Sequence, residues 1–203
     1  MNIAARCGHV EIVATLLKNP RVDPSACDNF AIRRAVQYGH LRVVELLLSD
    51  SRVDPSAYDN ETIKLAAFFG RHKIVEMLLS DSRVDPSVSN NCAIRSAAQH
   101  GLLRVVELLL ADSRVDPSAR NNDAVRYAAK NGHQEVVEVL VADSRVDPSS
   151  DNNYAIQLAA QNGHMGIMKV LLADSRVDPS ASNNYALRLA VTNGHLEVVR
   201  ILL

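Results

Sequence analysis

Apolar residues recur with helical spacing in two segments of a 31-residue repeat that runs along the whole chain. In the repeat at 30–60, the first segment places alanine, isoleucine and valine on one helical face and ends at Gly39. The second segment, Leu41–Leu48, carries a broad apolar stripe, with Arg42 and Glu45 outside it. The pattern predicts two antiparallel helices joined by a two-residue turn.

Six copies of Val-Asp-Pro-Ser separate these helical pairs, with aspartates at Asp23, Asp54, Asp85, Asp116, Asp147 and Asp178. Proline lacks a backbone donor and biases the preceding residue toward extended geometry, so we expect loops rather than strands. An asparagine follows at the same position in every copy: Asn29, Asn60, Asn91, Asn122, Asn153 and Asn184. Asparagine tolerates the left-handed conformation and caps helices well. Together with the Asn or Asp that directly precedes it, this asparagine is predicted to turn the chain and cap the next helix; the alternative is a merely solvated loop.

Helices of about 8 and about 10 residues are too short to persist alone in water. They must stack, which favours a solenoid in which each repeat contacts only its neighbours. A row of alanines is predicted to let paired helices approach closely: Ala35, Ala66, Ala97, Ala128, Ala159 and Ala190. The period divides one domain, 1–203, into repeats at about 1–29, 30–60, 61–91, 92–122, 123–153, 154–184 and 185–203, the first and last incomplete.

Composition limits the possible functions. Aromatic residues make up 4% of the chain and tryptophan is absent, so the core is predicted to be aliphatic. A net charge of −1 offers no global field for nucleic acid or anionic lipid. The three cysteines occupy three different positions of the repeat, which favours free thiols in a reducing compartment. No run approaches the roughly 18 apolar residues of a membrane span, and no signal peptide is recognisable. We expect an intracellular, cytoplasmic protein with no membrane or nucleic-acid partner.

The pattern Ala-Ala-x-x-Gly-His-x-x-Val-Val-x-Leu-Leu resembles the ankyrin repeat, most clearly at Ala128–Leu140 and Asn193–Val199. The resemblance covers the whole chain and implies an all-α, ankyrin-type helical repeat solenoid of seven helix-turn-helix units. It also implies a non-catalytic scaffold, without cofactors, that binds a partner protein on its concave face. The helix start Phe30–Arg33 departs from the family's Thr-Pro-Leu-His, and the repeat is two residues shorter than usual. We therefore expect short irregular loops with little or no β-hairpin.

Histidines share one position of the repeat at His9, His40, His133, His164 and His195. Stacked repeats about 10 Å apart cannot bring such a row onto one zinc ion, whose ligands lie about 2 Å from it. The family resemblance implies instead that they stabilise the turn by bonding neighbouring backbone. Arg71 and Leu102 replace the histidine in two repeats, where we expect this role to be weakened or lost. Carboxylates such as Asp50 and Asp54 flank Arg52 in a recurring loop, which favours a local ion pair over catalysis.

A basic column also recurs, at Arg33, Lys64, Arg95, Arg126 and Arg188, and Gln157 interrupts it. Three interpretations are open: a phosphate-tracking stripe, a solvated or ion-paired face, and a contact for an acidic protein. Nearly equal numbers of acidic and basic residues, 23 and 22, favour the ion-paired face.

The candidate partner site comes from residues that break the pattern. In the ankyrin family, the two positions before the helix-turn glycine commonly face the concave groove. Most of these pairs are polar here, but the second and third repeats present aromatic rings. We predict partner-binding residues at Tyr38, Tyr58, Phe68, Phe69, His100, Lys130 and Asn131. Clustered exposed aromatics are typical of interface hot spots. The alternative is that Phe68 and Phe69 fill gaps left by neighbouring divergence.

Neither end of the chain carries a polar capping repeat, which repeat arrays need for solubility. Ile201, Leu202 and Leu203 are predicted to lie at an uncovered edge. We expect a segment of a longer array, or end-to-end self-association through the uncapped terminal repeats. The rival to partner binding is a structural spacer or array segment within a larger multidomain protein.

Overall fold

The computed structural model describes all 203 residues and contains fourteen α-helices and no strand. The predicted all-α helical repeat fold is thereby confirmed. The helices are α1 (Asn2–Arg6), α2 (Val10–Leu17), α3 (Ala26–Tyr38), α4 (Leu41–Leu48), α5 (Ala57–Phe68), α6 (His72–Leu79), α7 (Val88–Gln99), α8 (Leu103–Ala111), α9 (Ala119–Asn131), α10 (Gln134–Ala142), α11 (Ser150–Gln161), α12 (Met165–Leu172), α13 (Ala181–Thr192) and α14 (Leu196–Leu202). Contacts group the chain into a first block, 1–93, and a second block, 94–203.

In the first block, helices pack both within repeats and between them. Helix α3 packs against its own partner α4 and against α1 and α5 of the adjoining repeats, while α4 packs against α2 and α6. The core between the two rows is aliphatic: Ile32, Ala35, Val44 and Leu47 are fully buried. Each short helix therefore gains from its neighbours the burial that it cannot supply alone.

The second block repeats the arrangement. Helix α11 packs against α12 and against α9 and α13, and α10 packs against α8 and α12. Ala128, Ala159 and Ala190 are fully buried, as the prediction of a small-residue helix contact requires. Fully buried Leu140 and Leu171 complete the aliphatic core of this block.

Each loop contains three consecutive residues in the left-handed conformation, and the third is always the recurring asparagine. Asn122, for example, has a φ of 60° and is 94% buried. Its backbone N–H donates to the Ser118 carbonyl over 2.8 Å. The predicted turn is confirmed. The range given for α9, Ala119–Asn131, includes this left-handed turn. It does so because the backbone keeps helix-like hydrogen bonds through the turn although its handedness reverses there.

The asparagine side chain does not cap its own helix, so the capping half of the prediction is wrong. Its Oδ1 atom instead accepts the backbone N–H of the aspartate in the following loop. Four such bonds of 2.7–2.8 Å join Asn29 to Asp54, Asn60 to Asp85, Asn122 to Asp147 and Asn153 to Asp178. The recurring asparagine is thus a tie between successive repeats.

The loop arginines form a second tie. Arg145 donates to both carboxylate oxygens of Asp143 over 2.9 and 2.6 Å. It also donates to the Val115 carbonyl over 2.9 Å and to the Leu110 carbonyl over 2.8 Å, both in the preceding repeat. The predicted local ion pair is confirmed, and its second function is to hold the backbone of the repeat before it. The Arg145 hydrogen bond is the main reason that the pKa of Asp143 lies below its ordinary value.

Four of the five histidines bond backbone of the preceding repeat, as the family resemblance implied: His40, His133, His164 and His195. His40 Nε2 lies 2.8 Å from the Arg6 carbonyl oxygen, to which it donates. Arg71 occupies the same position and donates from Nη2 to the Gln37 carbonyl over 3.2 Å. The role is therefore not lost at Arg71, because the guanidinium reaches the equivalent acceptor, but its bond is longer than the 2.8 Å bond of His40. Leu102 has no side-chain donor for it.

Where the histidine of the next repeat lies over it, the glycine of a helix turn is required for two reasons. Gly163 has a φ of +71°, and a Cβ atom there would lie 2.6 Å from Nδ1 of His195 in the next repeat. A side chain would both strain the backbone and displace the ring. No group of three or more His, Cys, Asp or Glu side chains is arranged to hold a metal ion.

Candidate protein-interaction surface

The basic column is engaged within the chain. In the first block, Lys64 Nζ lies 3.0 Å from Asp59 and 3.4 Å from Glu61. Arg33 donates over 3.1 Å to the carbonyls of Cys27 and Asp28 in the left-handed turn. These bonds satisfy backbone carbonyls that cannot accept the usual helical hydrogen bonds, because the chain is left-handed at this turn.

The same use of the column recurs in the second block. Arg126 pairs with Asp123 and Asp151 and donates to the Asn121 carbonyl over 3.4 Å. Gln157 donates to the equivalent turn carbonyl, that of Asn152, over 2.7 Å. Glutamine therefore replaces arginine without losing the turn contact, which explains the apparent interruption. The geometry favours the ion-paired interpretation over a phosphate-tracking stripe.

Phe68 and Phe69 are half-exposed at the end of α5, with exposed fractions of 47% and 38%. Their ring centroids lie 4.9 Å apart at an angle of 75°, an edge-to-face pair. Core residues of the same block, such as Ile63, are fully buried. The exposure favours a surface role over the filling of a core gap.

Tyr38 and Tyr58 are also exposed, at 49% and 63%. Tyr38 directly precedes the turn at Gly39, and its ring stacks beside that of His40. Tyr58 lies in the left-handed turn with a φ of 58°, and the Arg33 guanidinium sits 4.7 Å from its ring centroid. The right-handed part of α5 begins after Asn60 and ends at Phe68, so it places Phe68 roughly 12 Å from the turn that holds Tyr58. The structure therefore does not bring Tyr58 together with the phenylalanines.

His100, Lys130 and Asn131 belong to the second block, where all three are exposed. His100 Nδ1 donates to the Ser96 carbonyl over 2.8 Å, and Asn131 Nδ2 donates to the Gln99 carbonyl over 2.9 Å. Asn162 and Asn193, at the position of Asn131, likewise donate to helix-end carbonyls. Polar side chains at this position therefore have a structural role. Tyr38 and Phe69, at the same position of earlier repeats, cannot reproduce it with their rings.

The sequence prediction missed a groove on the first block. It has a volume of about 220 Å³ and is lined by Asn2, Ile3, Arg6, Phe30, Arg34 and Tyr38. The Arg34 guanidinium lies 4.4 Å from the Phe30 ring centroid, and Nη1 donates to Gln37 Oε1 over 2.5 Å. Phe30, Arg34 and Tyr38 are spaced i, i+4, i+8, so they share one face of α3. That spacing was the signal available in the sequence.

The last helices expose apolar side chains. Val191 and Leu196 are 60% and 59% exposed and line an apolar cavity of about 240 Å³. Of the three residues predicted at an uncovered edge, Ile201 and Leu203 are exposed and Leu202 is half-buried. None of the helices has the length and apolar character that crossing a membrane would need.

Comparison with protein families accounts for nearly the whole chain. A model of three consecutive ankyrin repeats matches residues 63–152 and 125–203, and a model of a single ankyrin repeat matches residues 1–29 and 31–60. Comparison with curated proteins finds no match. The matched segments coincide with the helical pairs and their glycine turns. The chain therefore belongs to the ankyrin repeat family.

Proposed function

We propose that this protein is a non-catalytic scaffold that binds a partner protein on its concave face, through the aromatic side chains of the second and third repeats. Ankyrin repeats are generally protein–protein interaction modules. The observation that supports the site is the exposure of Tyr38, Phe68 and Phe69 at positions where later repeats carry polar side chains.

Stability of the free chain does not account for these rings. At the position where His100 and Asn131 bond helix-end carbonyls, Tyr38 and Phe69 carry rings that are 49% and 38% exposed to water. Full burial of an exposed phenylalanine side chain contributes about 1.5–3 kcal/mol, and since Phe68 and Phe69 are already half-buried, each can contribute about half of that in an interface. Two such rings side by side supply the energy of a hot spot.

A double substitution, Phe68→Ser with Phe69→Ser, tests the proposal. It should abolish capture of a partner from lysate while leaving the melting curve nearly unchanged. The matched control is Gln161→Ser with Asn162→Ser, at the same positions of a polar repeat, which should retain capture. A collapsed melting curve would mean that the rings belong to the core. Capture that survives the substitution would place the partner site elsewhere.

A structural spacer or array segment within a larger multidomain protein is the second candidate. The regular inter-repeat ties favour it, because bonds such as Asn122 to Asp147 and Arg145 to Val115 stiffen each junction. A rigid spacer should capture no partner through its own surface. Fluorophores at its two ends should report one narrow distance distribution, whereas a broad distribution would contradict the spacer.

The proposed partner is a protein rather than nucleic acid or membrane. A net charge of −1 and the internal pairing of Lys64, Arg95 and Arg126 leave little basic surface along the column. Cytoplasmic location and end-to-end self-association remain predictions. Sedimentation at increasing protein concentration checks self-association, and imaging of the tagged native protein checks location.

A further inference from the structure

One groove of the first block is lined by Arg6 and Arg34, and both lack the carboxylate partner that most arginines of this chain possess. Arg6 and Arg34 form no ion pair, and no carboxylate lines the groove on which they lie. By contrast, Arg42 and the loop arginines Arg52 and Arg83 each pair with an acidic side chain. The groove therefore holds positive charge that the folded chain does not neutralise.

The Arg34 guanidinium is held in place before any ligand arrives. It stacks on the Phe30 ring and is tethered by one hydrogen bond to the neutral side chain of Gln37. Since a planar guanidinium has five N–H donors, most remain available for an acceptor. Loss of side-chain freedom on binding is reduced because stacking already restricts the group.

Apolar side chains border these charges. Ile3 is 73% exposed and Tyr38 is 49% exposed, and both line the same groove. The backbone beneath is fixed, since His40 donates to the Arg6 carbonyl and joins α1 to the next repeat. Positive charge beside exposed apolar surface is complementary to a carboxylate next to an apolar side chain.

We propose that this groove binds a peptide segment of the partner protein in which an aspartate or glutamate adjoins a leucine, isoleucine or aromatic residue. The carboxylate accepts hydrogen bonds from Arg34, with Arg6 adding long-range attraction. The apolar neighbour lies against Ile3 and Tyr38. The proposal rests on the proposed function, and it specifies the chemistry of the partner.

A peptide fits this groove better than a nucleic acid does. Backbone recognition of nucleic acid needs basic groups that track several phosphates. Here two guanidiniums share one groove, and the nearby column residue Arg33 is engaged by turn carbonyls and the Tyr58 ring. The exposed aliphatic side chain of Ile3 offers nothing to a phosphate.

Selection of short random peptides displayed on phage against the immobilised full chain tests the proposal. The recovered peptides should be enriched in acidic residues adjoining apolar ones. A fluorescein-labelled selected peptide should bind the chain and weaken about tenfold with Arg34→Gln, the loss of one partly exposed charge-assisted hydrogen bond. Salt raised from roughly 0.1 M to 1 M should weaken it further, because the Debye length falls from about 10 to about 3 Å.

Controls distinguish the groove from general electrostatics and from misfolding. Arg21→Gln removes an exposed arginine outside the groove and should leave peptide affinity unchanged. Arg34→Lys keeps the charge without the planar fork and should give intermediate affinity, which a folding defect would not produce. Melting curves of all three variants should coincide with that of the native chain.

Several outcomes would overturn the proposal. These are a selection without acidic enrichment or without binders, peptide affinity that is insensitive to Arg34→Gln, and tighter binding of a thymidine oligonucleotide than of the peptide. Self-association that Arg34→Gln abolishes would show that a second copy occupies the groove instead. None of these results bears on partner capture through Phe68 and Phe69, so the proposed function can survive them. A native chain that captured no partner from lysate and bound no selected peptide would overturn both proposals.

Discussion

Replacement of one recurring asparagine separates the two roles that the structure gives it. Asn122 is left-handed, with a φ of 60°, and its Oδ1 accepts the Asp147 N–H over 2.8 Å. Asn122→Ala removes the acceptor and leaves a β-carbon in a conformation that alanine adopts less readily than asparagine does. Asn122→Gly removes the same acceptor but adopts the left-handed conformation freely.

The expected losses of stability follow from these contacts. A left-handed residue with a β-carbon costs about 1–2 kcal/mol, and since asparagine tolerates this conformation better than alanine, the substitution adds only part of it, about 0.5–1.5 kcal/mol. Loss of the hydrogen bond costs about 1 kcal/mol, near the lower end of the range for an unsatisfied donor, because the Asp147 amide is only partly buried. Asn122→Ala should therefore destabilise the chain by about 1.5–2.5 kcal/mol. Asn122→Gly should cost about 1–2 kcal/mol, of which part is the entropy of glycine in the unfolded chain.

Equilibrium unfolding in urea, followed by far-ultraviolet circular dichroism, measures both variants. The midpoints should fall in the order native, Asn122→Gly, Asn122→Ala, with unchanged slopes. If Asn122→Gly were as unstable as Asn122→Ala, the left-handed conformation would not be the reason for asparagine here. An unchanged midpoint for Asn122→Ala would refute the inter-repeat tie as well.

Three further predictions use the same measurement. Gly163→Ala should destabilise more than Gly194→Ala, because both are left-handed but only Gly163 lies under a histidine ring, that of His195; equal losses would show that backbone strain alone acts. Ala128→Leu should overpack the buried helix contact and cost about 1–3 kcal/mol, and an unchanged midpoint would mean that the site can expand. Arginine hydrogen bonds lower the pKa of the loop carboxyls in the folded state. The stabilisation that these carboxylates contribute is therefore fully present above the unfolded pKa of about 3.9. It is lost as the pH falls through the lower pKa of the folded state. The urea midpoint should therefore be constant from roughly pH 7 to 5 and decrease in more acidic solution, with a smaller decrease for Asp143→Asn than for the native chain. An equal decrease in both would mean that other groups cause the loss of stability in acid.

The candidate surface was only partly predictable. Exposure of Phe68 and Phe69 follows from their position before the turn glycine, which the family resemblance identified. The separation of Tyr58 from them along α5, and the groove formed by Phe30, Arg34 and Ile3, required coordinates. A linear sequence shows which residues break a repeat, but it does not show which of them meet.

The sequence alone determined the helices, their pairing, the buried alanines and the position of each turn. These features depend on local spacing and on contacts between adjacent repeats, which a 31-residue period displays directly. Only the tertiary structure decided what the recurring polar side chains bond. Asn122 reaches a donor 25 residues away, Arg145 reaches carbonyls 30 and 35 residues away, and Arg71 replaces a histidine by reaching 34 residues back. These hydrogen-bond partners depend on how one repeat packs against the next. A hydrogen bond requires donor and acceptor atoms within about 3 Å, and the sequence period does not specify interatomic distances between adjacent repeats.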